Sequence, residues 1–328
     1  MRVHILTGDI GGTNTRLAII AYSQGRAQPV ERGTFASPAY GSLEEIVREF
    51  LTVHPDFQPT AAAFGVAGPV VRGVCRVTNL PWVVDGRALA EQLRLQRAHV
   101  LNDLEALAWG IDTLEPDEIV SLQVGATDAI GNRAVIAAGT GLGEAGVFFD
   151  GRLHVPFSTE GGHAEFAATT DRDWRLHGLL QRRFGHVSWE RIVSGPGLVH
   201  LFEFLLQDAG MAVPDWFRDP GQDSAATITL RALSETDPLC VETLDWFARL
   251  YGAEAGNLAL KMNARGGVYL GGGIAPKVLP ALQKGAFLAG FLDKGRMRDV
   301  VEAMPVRVIR NEAVTLAGLA RFAALRAR

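Results

Sequence analysis

The sequence predicts an α/β chain with two related domains, and three observations carry that prediction. A strand pattern, a glycine loop and a second strand pattern open the chain, as Val3-His-Ile-Leu-Thr7, GDIGGTN and Arg16-Leu-Ala-Ile-Ile-Ala-Tyr22. The same arrangement returns in mid-chain as Ala134-Val-Ile-Ala-Ala138, GTGLG and Ala145-Gly-Val-Phe-Phe149. After each glycine hairpin, apolar runs of strand length alternate with helical periodicity, the pattern of a sheet covered by helices.

Behind the first hairpin, the apolar spacing predicts a helix over 43–53, a strand over 61–67, a helix over 88–93 and a strand over 98–101. The second half is more helical. Asp237-Pro238 reads as an N-cap followed by proline at the first helical position. Leu244, Phe247, Ala248, Tyr251, Ala255, Leu258 and Met262 then recur at spacings of three and four, so one face of a long helix is buried. The helix is expected to end near Gly266-Gly267. Val268-Tyr-Leu270 reads as a short strand leading into GGGIAP, with Pro276 in the first turn of a further helix, and a terminal helix covers roughly 313–325. No Pro/Ser-rich linker separates the halves, so the expected boundary is a hinge near residue 110. Residues 1–110 plus 305–328 then make a smaller α/β domain and 111–304 a larger one.

A chain of 328 residues suits two domains, each large enough to bury most of its apolar surface. The net charge of -4, with no lysine-arginine run, gives no field for nucleic acid or an anionic membrane, so small molecules are the expected partners. Cys75 and Cys240 stand far apart, which provides neither a disulfide framework nor a zinc-type cluster and fits a reducing compartment. The opening apolar run is stopped by Asp9 before it reaches signal-peptide length, and no run approaches the roughly 18 residues of a membrane span. The expected location is the cytoplasm.

Gly141-Leu-Gly143-Glu-Ala-Gly146 matches GxGxxG, the dinucleotide fingerprint. That fingerprint works only when a helix leaves the loop and presents its N-terminus to the pyrophosphate. Here Val147-Phe148-Phe149 and an Asp150-Gly151 turn follow, which predicts a β-hairpin and removes the helix. Backbone amides in glycine loops can still cradle phosphate. Three loops qualify: Gly8 to Asn14, Gly139 to Gly143, and Gly271 to Gly273. None of Lys261, Lys277, Lys284 and Lys294 follows a glycine, so no GxxxxGK[ST] loop exists. What remains is a nucleotide held by glycine hairpins.

Six segments, LTGDIGGTNTRLAI, LNDLEALAWG, AAGTGLGEAG, STEGGHAEFA, ERIVSGPGL and GGVYLGGGIAPK, resemble in their order the motifs of bacterial glucokinases, over roughly the first 280 residues. The resemblance implies the actin, Hsp70 and hexokinase fold, two ribonuclease-H-like domains with a cleft between them. It also implies ATP with Mg²⁺, D-glucose as substrate, and a homodimer as the common assembly. By this resemblance Gly8, Asp9, Ile10, Gly11, Gly12 and Thr13, together with Gly139, Thr140, Gly141 and Gly143, meet the phosphates, and Gly272 and Gly273 leave space for the adenosine.

Asp9 reads either as an Asx-turn residue or as a carboxylate that orients the water shell of Mg²⁺; similarity to the family favours the second. Asn102-Asp103 reads as a helix N-cap from position alone. A kinase acting on an alcohol needs a carboxylate to receive the hydroxyl proton. In the glucokinase motif Asp103 is that base and Asn102 a sugar-hydroxyl partner. Glu160, His163 and Glu190 complete the hydroxyl-reading set, since carboxylates and imidazole can pair groups that both donate and accept. His163 has no second His or Cys at ligand spacing. The zinc-bearing relatives carry a cysteine-rich stretch there, where this chain runs AEFAATTDRDW, so the metal-free branch fits. Three alternatives stay beside the glucose kinase: a broader hexose kinase, an ATPase of the same fold without a sugar, and a sugar-sensing regulator. The last would need a DNA-binding extension before the hairpin at residue 8.

Overall fold

A computed structural model describes residues 3–24, 26–59 and 61–326. The chain folds as two units. The first takes the described residues up to Glu118, His154–Ser158 and those from Asn311 onward; the second takes Ile119–Leu153 and Thr159–Arg310.

The first unit is built on a five-stranded sheet in the order Arg26–Ala36, Asn14–Ser23, Val3–Ile10, Ala61–Val66, Arg97–Asn102. The opening hairpin is antiparallel and the next two pairings are parallel, because helices intervene. One face is covered by the helix Leu43–Thr52, whose Leu43, Ile46, Val47 and Phe50 pack with Leu6, Leu17, Ile19 and Phe64. Each such burial contributes about 1.5–3 kcal/mol. Ser42 starts that helix by accepting the Glu45 amide at 3.4 Å. The other helical layer pairs Asp103–Gly110 with the terminal helix Val314–Arg326, where Trp109 meets Phe322 edge-on at 5.5 Å.

The second unit repeats the plan. Five strands of its six-stranded sheet run in the order Leu142–Phe149, Arg133–Ala138, Gly267–Gly271, Val306–Ile309, Ile119–Gln123: again an antiparallel hairpin followed by two parallel pairings, with Ile119–Gln123 added antiparallel at the edge. The expected duplication is therefore present in strand order, not only in motif. The hairpin also confirms why the dinucleotide reading fails, since Ala137 pairs with Gly143 and Ala138 with Leu142. Gly143 thus lies in the ladder, and the connection is Gly139-Thr140-Gly141 alone.

The long helix covers Pro238–Met262, with Asp237 accepting the Leu239 amide at 3.0 Å and the Cys240 amide at 3.3 Å. It ends four residues before the expected glycine pair. Asn263 adopts the left-handed conformation at φ 46 that stops it, a role asparagine fills because its short polar side chain tolerates that region. Pro276 is not in a helix either. Residues 272–278 are a run of turns, and the next helix, Leu279–Gln283, carries Pro280 in its first turn instead.

Candidate active site

In the first unit, the parallel registers set Asp9 beside Gly65 and Gly65 beside Leu101, with Asn102 ending its strand next to Val66. Asp9 and Asn102-Asp103 therefore sit at the carboxyl ends of strands two positions apart, roughly 10 Å by strand spacing. That edge is where open parallel sheets bind ligands. Burial raises the Asp9 carboxyl above its ordinary value, and Arg16, its cross-strand partner, acts in the opposite direction.

The hairpin loop beside Asp9 is tied down by hydrogen bonds. Gly11 donates to the Asn14 carbonyl at 3.0 Å, and the buried Ser37 hydroxyl donates to the Gly11 carbonyl at 2.8 Å. The Ser37 amide reaches the Thr13 carbonyl at 3.0 Å. Gly8 has a packing reason for being glycine: a Cβ there would stand 2.7 Å from Phe64 and 2.8 Å from Leu17.

Asn102 caps the helix that begins with Asp103. Its Oδ1 accepts the amides of Leu104 at 3.0 Å and Glu105 at 3.3 Å, while its Nδ2 donates to the Gly68 carbonyl at 3.2 Å. Gly68 adopts φ +142, a backbone conformation open to glycine. Asp103 thereby gains a fixed place in the first helical turn, where peptide dipoles favour negative charge. Its Oδ1 accepts the Leu104 amide at 2.9 Å.

In the second unit, three segments converge on the Gly139–Gly141 turn. Gly195, first residue of the helix Gly195–Asp208, donates to the Gly139 carbonyl at 2.8 Å, and Ile274 donates to the Ala138 carbonyl at 3.2 Å. Open space lies where a Cβ would stand at Gly139 and at Gly273. Gly141 differs, because a Cβ there would collide with the Glu190 carboxylate. Glu190 Oε2 accepts the Leu142 amide at 3.0 Å, so this residue of the hydroxyl-reading set is anchored on the glycine hairpin itself. The Ser194 hydroxyl donates to the Glu190 carbonyl at 2.6 Å and accepts the Gly197 amide at 3.1 Å, which ties Glu190 to the capped helix start.

Glu160 and His163, both exposed, flank Gly161-Gly162. The His163 amide donates to the Glu160 carbonyl at 3.0 Å, and His186 Nε2 donates to the His163 carbonyl at 3.0 Å. The Trp189 amide donates to the Ala164 carbonyl at 3.0 Å, one residue before Glu190. The structure thus brings Glu160, His163 and Glu190 onto paired segments. The glycine pair is there for space: a Cβ at Gly161 would enter the Glu144 carboxyl, and one at Gly162 the Leu142 carbonyl.

A glucokinase family model matches residues 6–326. The chain belongs to the glucokinase family. It is 38% identical to the glucokinase of Synechocystis over 351 residues, covering 99% of each. It is 32% identical to the crystal structure of a glucokinase from an Antarctic psychrotroph, with a TM-score of 0.86 over 98% of this chain and 99% of that one. A ROK family glucokinase from Streptomyces griseus, solved with glucose and AMPPNP, shares the fold at 21% identity and a TM-score of 0.65, over 98% and 99% of the two chains.

Glucokinase membership bears out the resemblance and the duplicated fold. Among the described residues no group of three or more His, Cys, Asp or Glu could hold a metal ion, and no helix is long and apolar enough to cross a membrane. Sequence reasoning missed Ser37, Ser194 and above all Glu144. The signal for Glu144 was present, a carboxylate inside an otherwise apolar strand, but position alone read it as a filler of GxGxxG.

Proposed function

We propose that Asn102 and Asp103 of the first unit, Glu160, His163 and Glu190 of the second, and the glycine turns of both carry out glucokinase chemistry, transfer of the terminal phosphoryl group of ATP to the 6-hydroxyl of D-glucose. The observation that supports the assignment of roles is the capped placement of Asp103 at the carboxyl edge of the first sheet, in a chain of this family. Asp103 accepts the hydroxyl proton as the oxygen attacks phosphorus. Asn102 and Gly68 hold its helix turn, so the carboxylate does not have to be ordered during the reaction. Glu160, His163 and Glu190 pair with sugar hydroxyls and reject isomers that would leave one of them unpaired.

The triphosphate meets the Gly11–Thr13 turn and the Gly139–Gly141 turn, with the adenosine toward Gly272 and Gly273. The donor set fits magnesium, which needs only one or two carboxylates besides phosphate and water. Asp9 would hold it, and the ion would supply neutralisation of phosphate charge. The glycine turns add fixed dipoles that need no reorganisation. The cytoplasm is the compartment that fits two buried free cysteines and no membrane-crossing helix among the described residues.

A coupled assay on purified protein tests this reading, with a panel of hexoses against ATP, ADP and polyphosphate. Glucose with ATP should turn over best, with product at the 6-position. ATP hydrolysis at a rate indifferent to sugar would overturn it, and equal turnover of several hexoses would widen the substrate class.

A further inference from the structure

Glu144 and Glu254 are the two glutamates buried most completely, at 1% and 0% exposure, and no step above uses either. Glu144 projects from the hairpin strand Leu142–Phe149, and Glu254 from the long helix Pro238–Met262, within hydrogen-bonding reach of one another. Glu254 is supplied for one negative charge. Asn257 Nδ2 donates to its Oε2 at 2.8 Å, and Lys261 Nζ to its Oε1 at 3.4 Å. On Glu144, the buried Oε1 meets no donor. Two adjacent buried carboxylates with one ammonium beside them would leave a charge unpaired, at a cost that a shared proton removes.

The same Glu144 carboxyl is the surface against which Gly161 packs, closely enough that even an added methyl group would collide with it. Its own carbonyl accepts the Thr159 hydroxyl at 3.0 Å, and Thr159 Oγ1 in turn accepts the Gly161 amide at 3.3 Å. The segment carrying Glu160 and His163 therefore rests on Glu144 through both side chain and backbone.

We propose that Glu144 and Glu254 form a one-proton acid pair that positions the Glu160–His163 segment, so that loss of the shared proton weakens sugar binding more than nucleotide binding. Glu144 is a positioning residue here and does not touch substrate. The inference rests on Glu160 and His163 being hydroxyl partners. Burial, then repulsion by Glu254, pushes the Glu144 carboxyl up to about 8. The other ionisable groups facing the pair are Tyr251, whose hydroxyl donates to the Ile136 carbonyl at 3.3 Å, Lys261, and Lys294 with its neighbour Asp293. None supplies the second positive charge at Glu144 that a doubly ionised pair would need. Lys294 is spent on the carbonyls of Gly290 and Asp293, each at 3.3 Å.

The test is the equilibrium affinity for glucose, measured by calorimetry at about pH 7 and about pH 9, in the wild type, Glu144→Gln, Glu254→Gln and His163→Ala. If only the protonated pair binds sugar well, the wild type weakens about tenfold across that interval. Glu144→Gln, neutral and isosteric, keeps the affinity seen at the lower pH throughout, and the KM for ATP changes less than glucose affinity in every case. Glu254→Gln removes the repelling charge and moves the weakening to lower pH, a readout that stands even if Glu144→Gln does not fold. A flat wild-type profile, or a Glu144→Gln profile parallel to the wild type, overturns the proposal. Unchanged glucose affinity in His163→Ala removes the sugar site from this segment, and the proposal with it; weakened binding there, with no difference between Glu144→Gln and wild type, overturns the proposal and leaves the sugar site standing.

Discussion

The Glu190 carboxylate accepts the Leu142 amide at 3.0 Å, in space that exists because residue 141 has no side chain. Glycine at 141 therefore serves the carboxylate as well as any phosphate. Gly141→Ala should displace Glu190 and raise the KM for glucose by about the same factor as Glu190→Gln, on the order of tenfold for a lost charge-assisted bond. The double variant should add little, because both changes remove one interaction. Fully additive effects in steady-state kinetics would show that the two residues act separately.

Asp103→Asn keeps the shape of the side chain at the helix start and removes its capacity to take a proton. The expected result is a loss of kcat on the order of 10²-fold or more, with little change in glucose affinity. Retention of most turnover would exclude Asp103 as the base.

Both glycine hairpins were legible in the sequence, because strand, glycine turn and strand twice over leave few other folds. The purpose of individual glycines was not. Gly8 and Gly141 read as parts of phosphate loops, yet Gly8 makes room for Phe64 and Leu17, and Gly141 for Glu190. Contacts between residues 8 and 64, or 141 and 190, are set by sheet pairing that no local pattern encodes. The end of the long helix was misplaced for the opposite reason: Asn263 supplied the left-handed residue before the more obvious Gly266 was reached. Glu144 escaped because periodicity marks a strand as buried without showing that a second acid on a distant helix waits to share its proton.

Asn102→Ala should weaken both the fold and catalysis. It removes the N-cap of Asp103–Gly110, worth about 1 kcal/mol, and leaves the Gly68 carbonyl without the Nδ2 donor. The midpoint of urea unfolding should fall, and kcat and glucose affinity should both drop, because the base sits on the loosened turn and Asn102 is itself assigned to a sugar hydroxyl. An unmoved midpoint would mean that water replaces the cap without loss.

Stability should fall at both ends of the pH scale, for reasons that two buried carboxyls make separable. Asp173 is fully buried. Burial alone would raise its carboxyl, but hydrogen bonds and charge from Arg249, with the Trp246 indole at 3.0 Å, hold it below the ordinary 3.8. A depressed carboxyl contributes stability that is present above its unfolded value and lost as pH falls through its folded one. Glu144 has the opposite sign. Raised from 4.5 to about 8, it keeps its proton in the folded chain after the unfolded chain has released it, so its contribution is full below 4.5 and is lost progressively as pH rises to about 8. Asp173→Asn should therefore flatten the acid arm of a Tm-versus-pH curve and lower its plateau, since the Arg249 guanidinium loses its counter-charge. Glu144→Gln should flatten the alkaline arm and leave the acid arm in place. If Glu144→Gln instead lowered Tm equally at all pH values, the glutamate would be ionised in the folded protein already, and the shared proton would have to be abandoned.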